Sequence, residues 1–291
     1  MNKGSFGHIS AFIAVLLPLF TFSSFSLVGE LLTPLEILIA GAAASVVILK
    51  FISPKHLRLP SLSYHLISVL SGVLLVALPF FFSYMALRFA TVDTLVFMIA
   101  CSPCLCAFVA YALRVYEKEC AHTFSGAAFA VAGAFLLTVF REGTLSVSVM
   151  GTLYSFGAAF SVGAGLLCLR RLLGVGGSLG VIRRVLFWGT LVSLVFINVL
   201  DFDPKRYMSL IEPYMIVNLL FCAVAVPVIC LSLFSCSVKQ LGIMSSASYI
   251  YAFPAIAVVI YALMGNITVS ATVLIGVVLS VISVALTSKR Q

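Results

Sequence analysis

The longest charge-free stretch of the chain, residues 240–288, reads QLGIMSSASYIYAFPAIAVVIYALMGNITVSATVLIGVVLSVISVALTS. These 49 residues contain no Asp, Glu, Lys or Arg. A helix that crosses the hydrocarbon core of a membrane needs about 20 predominantly apolar residues. The stretch is therefore long enough for two membrane-spanning helices, with the turn-forming pair Gly265-Asn266 between them.

Similar apolar stretches, separated by clusters of charge, follow one another along the rest of the chain. They are Ile9–Gly29, Ile37–Leu49, His65–Leu87, Thr94–Leu113, Thr123–Phe140, Gly143–Leu169, Val185–Leu200 and Pro213–Val238. The second stretch reaches membrane-spanning length only if Glu36 and Lys50 are included at its ends. Together with residues 240–288, these stretches predict an all-α integral membrane protein with ten transmembrane helices.

The composition excludes a soluble protein. Of all residues, 63% are hydrophobic and 9% are charged, and the mean hydropathy is +1.23. A soluble domain carries roughly 25% charged residues on average. Buried helices of a large soluble protein also alternate with polar faces and hydrophilic loops, and this chain lacks both.

The net charge of +8 is distributed as in a membrane protein, which argues against a nucleic-acid-binding function. With the N-terminus in the cytoplasm, ten helices place thirteen of the 17 Lys and Arg residues on the cytoplasmic side. The external ones are Arg88, Arg141, Lys205 and Arg206. Because cytoplasmic loops are enriched in basic residues, both termini are predicted to be cytoplasmic. The short loops favour a bacterial inner (plasma) membrane.

Short motifs of the first half recur in the second half at a nearly constant offset. Val76-Ala77-Leu78-Pro79 recurs 148 positions later as Val224-Ala225-Val226-Pro227, Pro103 recurs after 151 as Pro254, and Gly126 recurs after 150 as Gly276. The chain therefore divides into two five-helix repeats, residues 1–141 and 142–291. Because five is an odd number, the second repeat is inverted in the membrane, an arrangement typical of secondary transporters.

The whole arrangement resembles the drug/metabolite transporter superfamily, in its EamA-type branch. Residues Tyr84-Met85-Ala86-Leu87-Arg88-Phe89-Ala90 are similar to the aromatic-x-Ala-Leu-basic-aromatic signature of that family. Pro103 falls at its mid-helix proline, and Glu117 and Gly126 are similar to the acidic residue and glycine of its fifth helix. The resemblance covers nearly the whole chain and implies a metabolite transporter.

Four prolines lie inside predicted helices as two matched pairs, Pro79 with Pro227 and Pro103 with Pro254. A proline removes a backbone hydrogen bond, and in lipid the freed carbonyl must be satisfied by protein or by water in a cavity. The pairs therefore predict bends with a gating role around a cavity among the third, fourth, eighth and ninth helices. The first and sixth helices adjoin this cavity by family resemblance, and simple packing kinks are the alternative.

Two basic residues, Arg88 and Lys239, occupy equivalent positions in the two repeats. Each begins the turn into a helix that carries one of the prolines. We expect them to form the basic edges of two gates or to attract an anionic group. Charges that reach from a helix end to the membrane surface are the alternative.

Two carboxylates, Glu36 and Asp93, lie close to the outer ends of the second and fourth helices. Carboxylates near hydrocarbon are costly, which makes them candidates for a functional site. Asp93 is predicted to bind substrate together with Phe97, which follows one helical turn later, and Glu36 is predicted to act in gating or coupling. Solvation at the membrane boundary is the alternative for both.

Hydroxyl and aromatic side chains complete the predicted substrate site. The ninth helix carries Ser245, Tyr249 and Tyr251 before its proline, and these side chains can bond to or stack on a ligand. Further candidates are Tyr84, Tyr154 and Ser161. Small hydroxyl residues also promote close helix packing, which is the alternative role for the serines.

Other functional classes are disfavoured. The four histidines, His8, His56, His65 and His122, lie at or beyond the ends of predicted helices without a carboxylate in register, so we expect no enzyme and no catalytic residue. Cys101, Cys104 and Cys106 lack His or carboxylate neighbours, so we expect helix packing and neither a metal nor another cofactor. A channel is disfavoured because no charged ring or filter-like loop is present.

The predicted function is secondary transport of a small organic metabolite by alternating access. Carboxylates combined with tyrosines suit an amino acid or a derivative such as S-adenosylmethionine. Arg88 and Lys239 would instead suit an anionic or phosphorylated metabolite, and a non-transporting scaffold subunit is a further alternative. The expected partners are the substrate and membrane lipid. The sequence does not decide whether a proton or a counter-substrate is coupled to transport, or whether the protein is a monomer or a homodimer.

Overall fold

The computed structural model describes residues 3–28, 34–52, 61–90, 92–115, 117–142, 148–196, 217, 220, 221, 225–263 and 270–287. This part of the chain is almost entirely helical and contains no β-strand. Its α-helices are α1 (Lys3–Val28), α2 (Pro34–Ile52), α3 (Leu62–Gly72), α4 (Leu78–Leu87), α5 (Val92–Ala100), α6 (Ser102–Ala112), α7 (Glu117–Glu142), α8 (Val149–Leu173), α9 (Ser178–Phe196), α10 (Leu231–Leu241), α11 (Ile243–Ala247), α12 (Phe253–Leu263) and α13 (Ala271–Thr287). Two π-helical segments, Val73–Ala77 and Ala225–Cys230, and the 3₁₀ segment Ser248–Ala252 continue neighbouring α-helices.

Five helical segments in this part of the chain are long and apolar enough to cross a membrane. They are Leu62–Leu87, Thr94–Ala112, Val149–Leu173, Ser178–Val195 and Ile243–Ile260, with mean hydropathies between 1.5 and 2.3. Five shorter apolar helices lie in Gly4–Pro18, Gly41–Ile52, Thr123–Leu137, Val228–Leu241 and Ala271–Thr287. The structure is therefore that of an all-helical protein with several candidate membrane-spanning helices.

All four prolines of the predicted pairs lie at interruptions of helical geometry. A π-helical segment ends two residues before Pro79, and Pro227 lies inside the other π-helical segment. The helix that contains Pro103 is broken at Cys101, and a 3₁₀ turn ends two residues before Pro254. Because proline cannot donate to the carbonyl four residues earlier, the preceding turn loses its regular bonding. The predicted bends thus have a local counterpart in the backbone.

Most of the largest fully buried side chains gather where α8 and α10 end and α3 and α9 begin. They are Leu49, Leu169, Leu172, Ile182, Leu186, Ile243 and Met244. Burial of one such aliphatic side chain contributes roughly 1.5–3 kcal/mol, so this end of the bundle is tightly closed by packing.

The helices α7 and α13 pack against each other in antiparallel orientation through glycines. A Cβ added at Gly133 would lie 2.8 Å from the carbonyl oxygen of Gly276. Nearer the other end of the interface, Ser283 Oγ donates a hydrogen bond of 2.7 Å to the carbonyl of Gly126. Small residues let helix backbones approach closely in a membrane, which explains why the sequence places glycine here.

Two further helix pairs approach closely at their ends. Gly7 of α1 packs against Leu241 at the end of α10, and Gly151 of α8 packs against Ala90, just after α4. In both pairs one helix begins where the other ends, so both pairs are antiparallel. The predicted turn Gly265-Asn266 and the start of the predicted helix Pro213–Val238 lie outside the described residues.

Candidate functional site

The first part of the predicted site lies where α4, α5 and α8 meet. Ala86, Leu95 and Ala158 form a buried apolar cluster, against which Phe82 and Tyr154 pack. The ring of Tyr154 also stacks on Phe89, with ring centroids 6.1 Å apart and an interplanar angle of 18°. Tyr154 therefore lies in an aromatic layer between α4 and α8 and remains only half-buried.

Tyr84 and Arg88 interact one turn apart on α4. The guanidinium carbon of Arg88 lies 5.2 Å from the centroid of the Tyr84 ring, within the range of a cation–π interaction. Arg88 caps the C-terminus of α4, where a positive charge interacts favourably with the helix dipole. The side chain stays exposed, so its charge remains available at this helix end.

A second cluster joins α1, α5 and α12. Its buried members are Val15, Val96, Phe253 and Ala257, and Tyr249 packs against them. Phe97, which follows Val96 on α5, is half-buried. Tyr249 thus lies close to α5, which belongs to the fourth predicted helix.

His8 of α1 contacts Tyr249, a contact that was not among the sequence-based predictions. The distance between His8 Nδ1 and Tyr249 Oη is 2.7 Å, and the two ring centroids are 6.0 Å apart. The sequence predicted His8 to lie at or beyond a helix end with no carboxylate in register, and α1 begins at Lys3 and includes it. The only available signal was its polar character in an apolar stretch, because the contact spans 241 positions.

Tyr251 faces away from this cluster. Its side chain is fully buried beside Ala127, Ala130 and Cys104, and its hydroxyl lies 3.4 Å from the carbonyl oxygen of Thr123. A 3₁₀ turn advances about 120° per residue, so Tyr249 and Tyr251 point in different directions. Tyr251 is therefore enclosed in this conformation, and its role in substrate binding stays a prediction.

The two candidate serines are buried. Ser161 donates a hydrogen bond of 2.8 Å to the carbonyl of Ala158 in its own helix, so its hydroxyl is already engaged. Ser245 is buried in α11, directly before the 3₁₀ segment. Nearby, the hydroxyl oxygens of Ser237 and Ser246 lie 2.8 Å apart and join α10 to α11. These contacts match the packing role that the sequence left open for serine.

Lys239 lies in the last turn of α10, as Arg88 lies at the end of α4. Its ammonium group donates a hydrogen bond of 3.1 Å to the carbonyl of Gly176, in the turn between α8 and α9. Arg88 and Lys239 thus both lie at the C-terminal end of a helix. Their neighbours differ, an aromatic ring for Arg88 and a backbone carbonyl for Lys239.

The two predicted carboxylates belong to helices whose backbone is described. Glu36 lies in α2 and Asp93 near the start of α5. Their side chains, like that of Pro227, lie outside the described part of the structure. Among the residues that are described, no three His, Cys, Asp or Glu side chains form a group that could hold a metal ion.

Comparisons with known proteins give a fold but no family. No family model matches the sequence, and no curated protein matches it either. A solved structure described as "Crystal structure of protein" is similar to this chain with a TM-score of 0.72 and 17% sequence identity. The match covers 98% of this chain and 95% of the other, so the similarity concerns the whole fold.

Proposed function

We propose that this protein is a secondary transporter of the EamA type, in which two inverted five-helix halves move a small organic metabolite across a membrane by alternating access. In this proposal ten helices span the membrane and both termini are cytoplasmic. The five long apolar segments and the five shorter apolar helices together make ten, and each of the ten falls on one of the apolar stretches that the charge clusters separate.

The observation that carries the proposal is the reciprocal contact between α7 and α13. Gly276 lies 150 positions after Gly126, and Ser283 lies 150 positions after Gly133. Exchange of the two halves therefore converts the Gly126–Ser283 contact into the Gly276–Gly133 contact, and both contacts are present. Such self-complementary contacts are the signature of a two-fold axis.

The orientation of these helices supports an axis in the membrane plane. A two-fold axis along the membrane normal would leave equivalent helices parallel, whereas α7 and α13 are antiparallel. The end contacts support the same axis, because exchange of the halves converts the pair α1–α10, in which Gly7 meets Leu241, into the pair α8–α4, in which Gly151 meets Ala90. Inverted repeats of this kind let a single site open to either side of the membrane in turn.

The substrate class rests on the residues between the halves. Tyr249, Tyr154 and Phe97 provide aromatic surface, and Asp93 and Glu36 are placed by the sequence on the helices beside it. We propose a compact substrate with a cationic amino group, such as an amino acid or S-adenosylmethionine. A carboxylate about 4 Å from that group, at an effective dielectric constant near 20, would attract it by about 4 kcal/mol before desolvation.

An anionic or phosphorylated metabolite is the second candidate, and Arg88 is the observation that favours it. The Arg88 side chain is exposed at the end of α4, although its guanidinium carbon lies over the Tyr84 ring. A planar guanidinium group suits bidentate recognition of phosphate and carboxylate. A cationic substrate therefore requires the carboxylate of Asp93, whereas an anionic substrate requires the guanidinium group of Arg88.

A ligand screen followed by uptake measurements tests the proposal. Purified protein is heated with amino acids, S-adenosylmethionine, nucleosides and sugar phosphates, and solutes that raise the melting temperature are measured for uptake into proteoliposomes. Asp93→Asn should abolish uptake of an amino-bearing substrate while Arg88→Gln only slows it. The reverse pattern favours the anionic candidate, and no stabilising or transported solute favours a scaffold.

A further inference from the structure

Tyr64, which is buried, and Arg184, which is half-buried, form a pair where α3 and α9 lie side by side. Tyr64 is 6% exposed, and the guanidinium carbon of Arg184 lies 5.0 Å from the centroid of its ring. Tyr64 lies within one turn and Arg184 within two turns of the start of a long apolar segment, at the tightly packed end of the bundle. The sequence predicts a helix that starts at Val185, one position after Arg184, whereas the structure places Arg184 inside α9.

Each member of the pair has a buried polar atom without a partner. Tyr64 Oη and Arg184 Nη1 are both shielded from solvent, and neither has a hydrogen-bond partner among the described residues. Buried donors are nearly always bonded in folded proteins, so an orphaned pair calls for a missing acceptor. A phenol can donate, and a guanidinium group donates only. The missing group is therefore an acceptor that both can share.

The neighbourhood of this pair is basic. A Cβ added at Gly176 would lie 2.9 Å from Tyr64 Oη, so glycine keeps the space beside the phenol open. The carbonyl of Gly176 already accepts a bond from Lys239, which brings a second cation to the same turn. An acceptor that carries negative charge is therefore favoured over a neutral one.

The exposed face of α3 indicates that a lipid headgroup can supply this anion. Leu62, Leu66 and Leu70 follow one another at helical spacing and are 76%, 63% and 50% exposed. Exposed leucines at this spacing form an apolar stripe that lipid chains can cover. Basic sites beside apolar helix ends on the cytoplasmic side are suited to acidic lipid headgroups.

We propose that Tyr64 and Arg184 form a binding site for a phosphate oxyanion, supplied by the headgroup of an anionic phospholipid or by a free phosphate-bearing solute. Tyr64 Oη donates one hydrogen bond and Arg184 Nη1 a second, while Lys239 adds charge at longer range. The site is separate from the proposed transport site, and it holds whether or not the chain transports a metabolite.

The test uses full-length protein, purified in nonionic detergent and stripped of lipid. Thermal unfolding and native mass spectrometry measure binding of phosphatidylglycerol, inorganic phosphate and uncharged diacylglycerol at equal ionic strength. We expect phosphatidylglycerol to bind and stabilise the wild type, whereas diacylglycerol does not. Stabilisation by inorganic phosphate but not by phosphatidylglycerol would identify a soluble anion as the ligand of the same site.

Three variants assign the binding to this pair. Tyr64→Phe removes only an unpartnered hydroxyl, so it should keep the stability of the lipid-free protein while weakening anion binding about tenfold. Arg184→Gln should weaken binding further. Arg183→Gln removes the same charge one position away and should bind like the wild type. Equal anion binding by wild type and Tyr64→Phe, or equal losses in Arg183→Gln and Arg184→Gln, would overturn the proposal.

Discussion

The hydroxyl of Ser283 donates a hydrogen bond of 2.7 Å to the backbone carbonyl of Gly126, from α13 to α7. A carbonyl of α7 can accept this bond only because Gly126 has no side chain, which lets the two backbones approach closely. A Cβ at Gly126 would collide with Thr287 and lie 3.0 Å from the carbonyl oxygen of Ser283. The bond therefore depends on a glycine that the sequence repeats 150 positions later as Gly276.

Gly133→Ala should destabilise the protein, because the added methyl group meets backbone atoms of Gly276 and Ser280 that cannot move aside. Overpacking of this kind typically costs about 1–3 kcal/mol. Gly4→Ala is the matched control, since a Cβ there meets nothing within 4 Å. Thermal unfolding in detergent should show a lower melting temperature for Gly133→Ala alone. Equal melting temperatures would mean that α7 and α13 are not closely packed.

His8 and Tyr249 should be energetically coupled through the contact between His8 Nδ1 and Tyr249 Oη. A double-mutant cycle with His8→Ala, Tyr249→Phe and the double variant measures this coupling as the departure from additive stability changes. We expect about 0.5–1.5 kcal/mol, the usual net contribution of a hydrogen bond. Additive changes would show that the two side chains are neighbours without an interaction.

Much of the helical framework could be predicted from the sequence, because lipid allows few alternatives to an apolar helix. The predicted helices His65–Leu87 and Thr94–Leu113 correspond to the segments Leu62–Leu87 and Thr94–Ala112. The helix interruptions were also predictable, since proline acts on its own preceding turn. Helix starts were less accurate, and α9 begins at Ser178 instead of Val185 because its two arginines are tolerated near the helix end.

The side-chain arrangement of the candidate site could not be predicted in the same way. Tyr249 and Tyr251 are two positions apart, and only the 3₁₀ geometry of Ser248–Ala252 determines that one meets His8 while the other is enclosed. The orphaned pair Tyr64 and Arg184 depends on a contact between helices that are 120 positions apart in sequence. Periodicity identifies buried faces, but it does not identify which face meets which helix.

Pro103→Ala and Pro254→Ala should both impair transport while the protein still inserts and folds. Alanine restores the backbone hydrogen bond that proline removes, so the interrupted helices at Cys101 and Ser248–Ala252 should become regular and stiffer. Initial uptake rates in proteoliposomes, normalised to reconstituted protein, measure the effect. Uptake at the wild-type rate by both variants would reduce these prolines to packing features.

Reporter fusions test the ten-helix topology. Fusions after Lys55, Arg171 and Gln291 should report a cytoplasmic location, and a fusion after Asp203 should report an external one. The reason is that an odd number of helices separates Arg171 from Asp203 in the inverted arrangement. A cytoplasmic signal after Asp203 would mean that a span is missing or added before that residue, and the repeats would then not be inverted.

The central claim, transport by alternating access, is tested most directly by counterflow in proteoliposomes. Vesicles with purified protein are loaded with an unlabelled solute from the binding screen, and a trace of the same radiolabelled solute is added outside. A carrier with one alternating site should accumulate label transiently above equilibrium, and protein-free vesicles should not. Label that only equilibrates would indicate a channel, and no entry of any solute that binds would contradict the account.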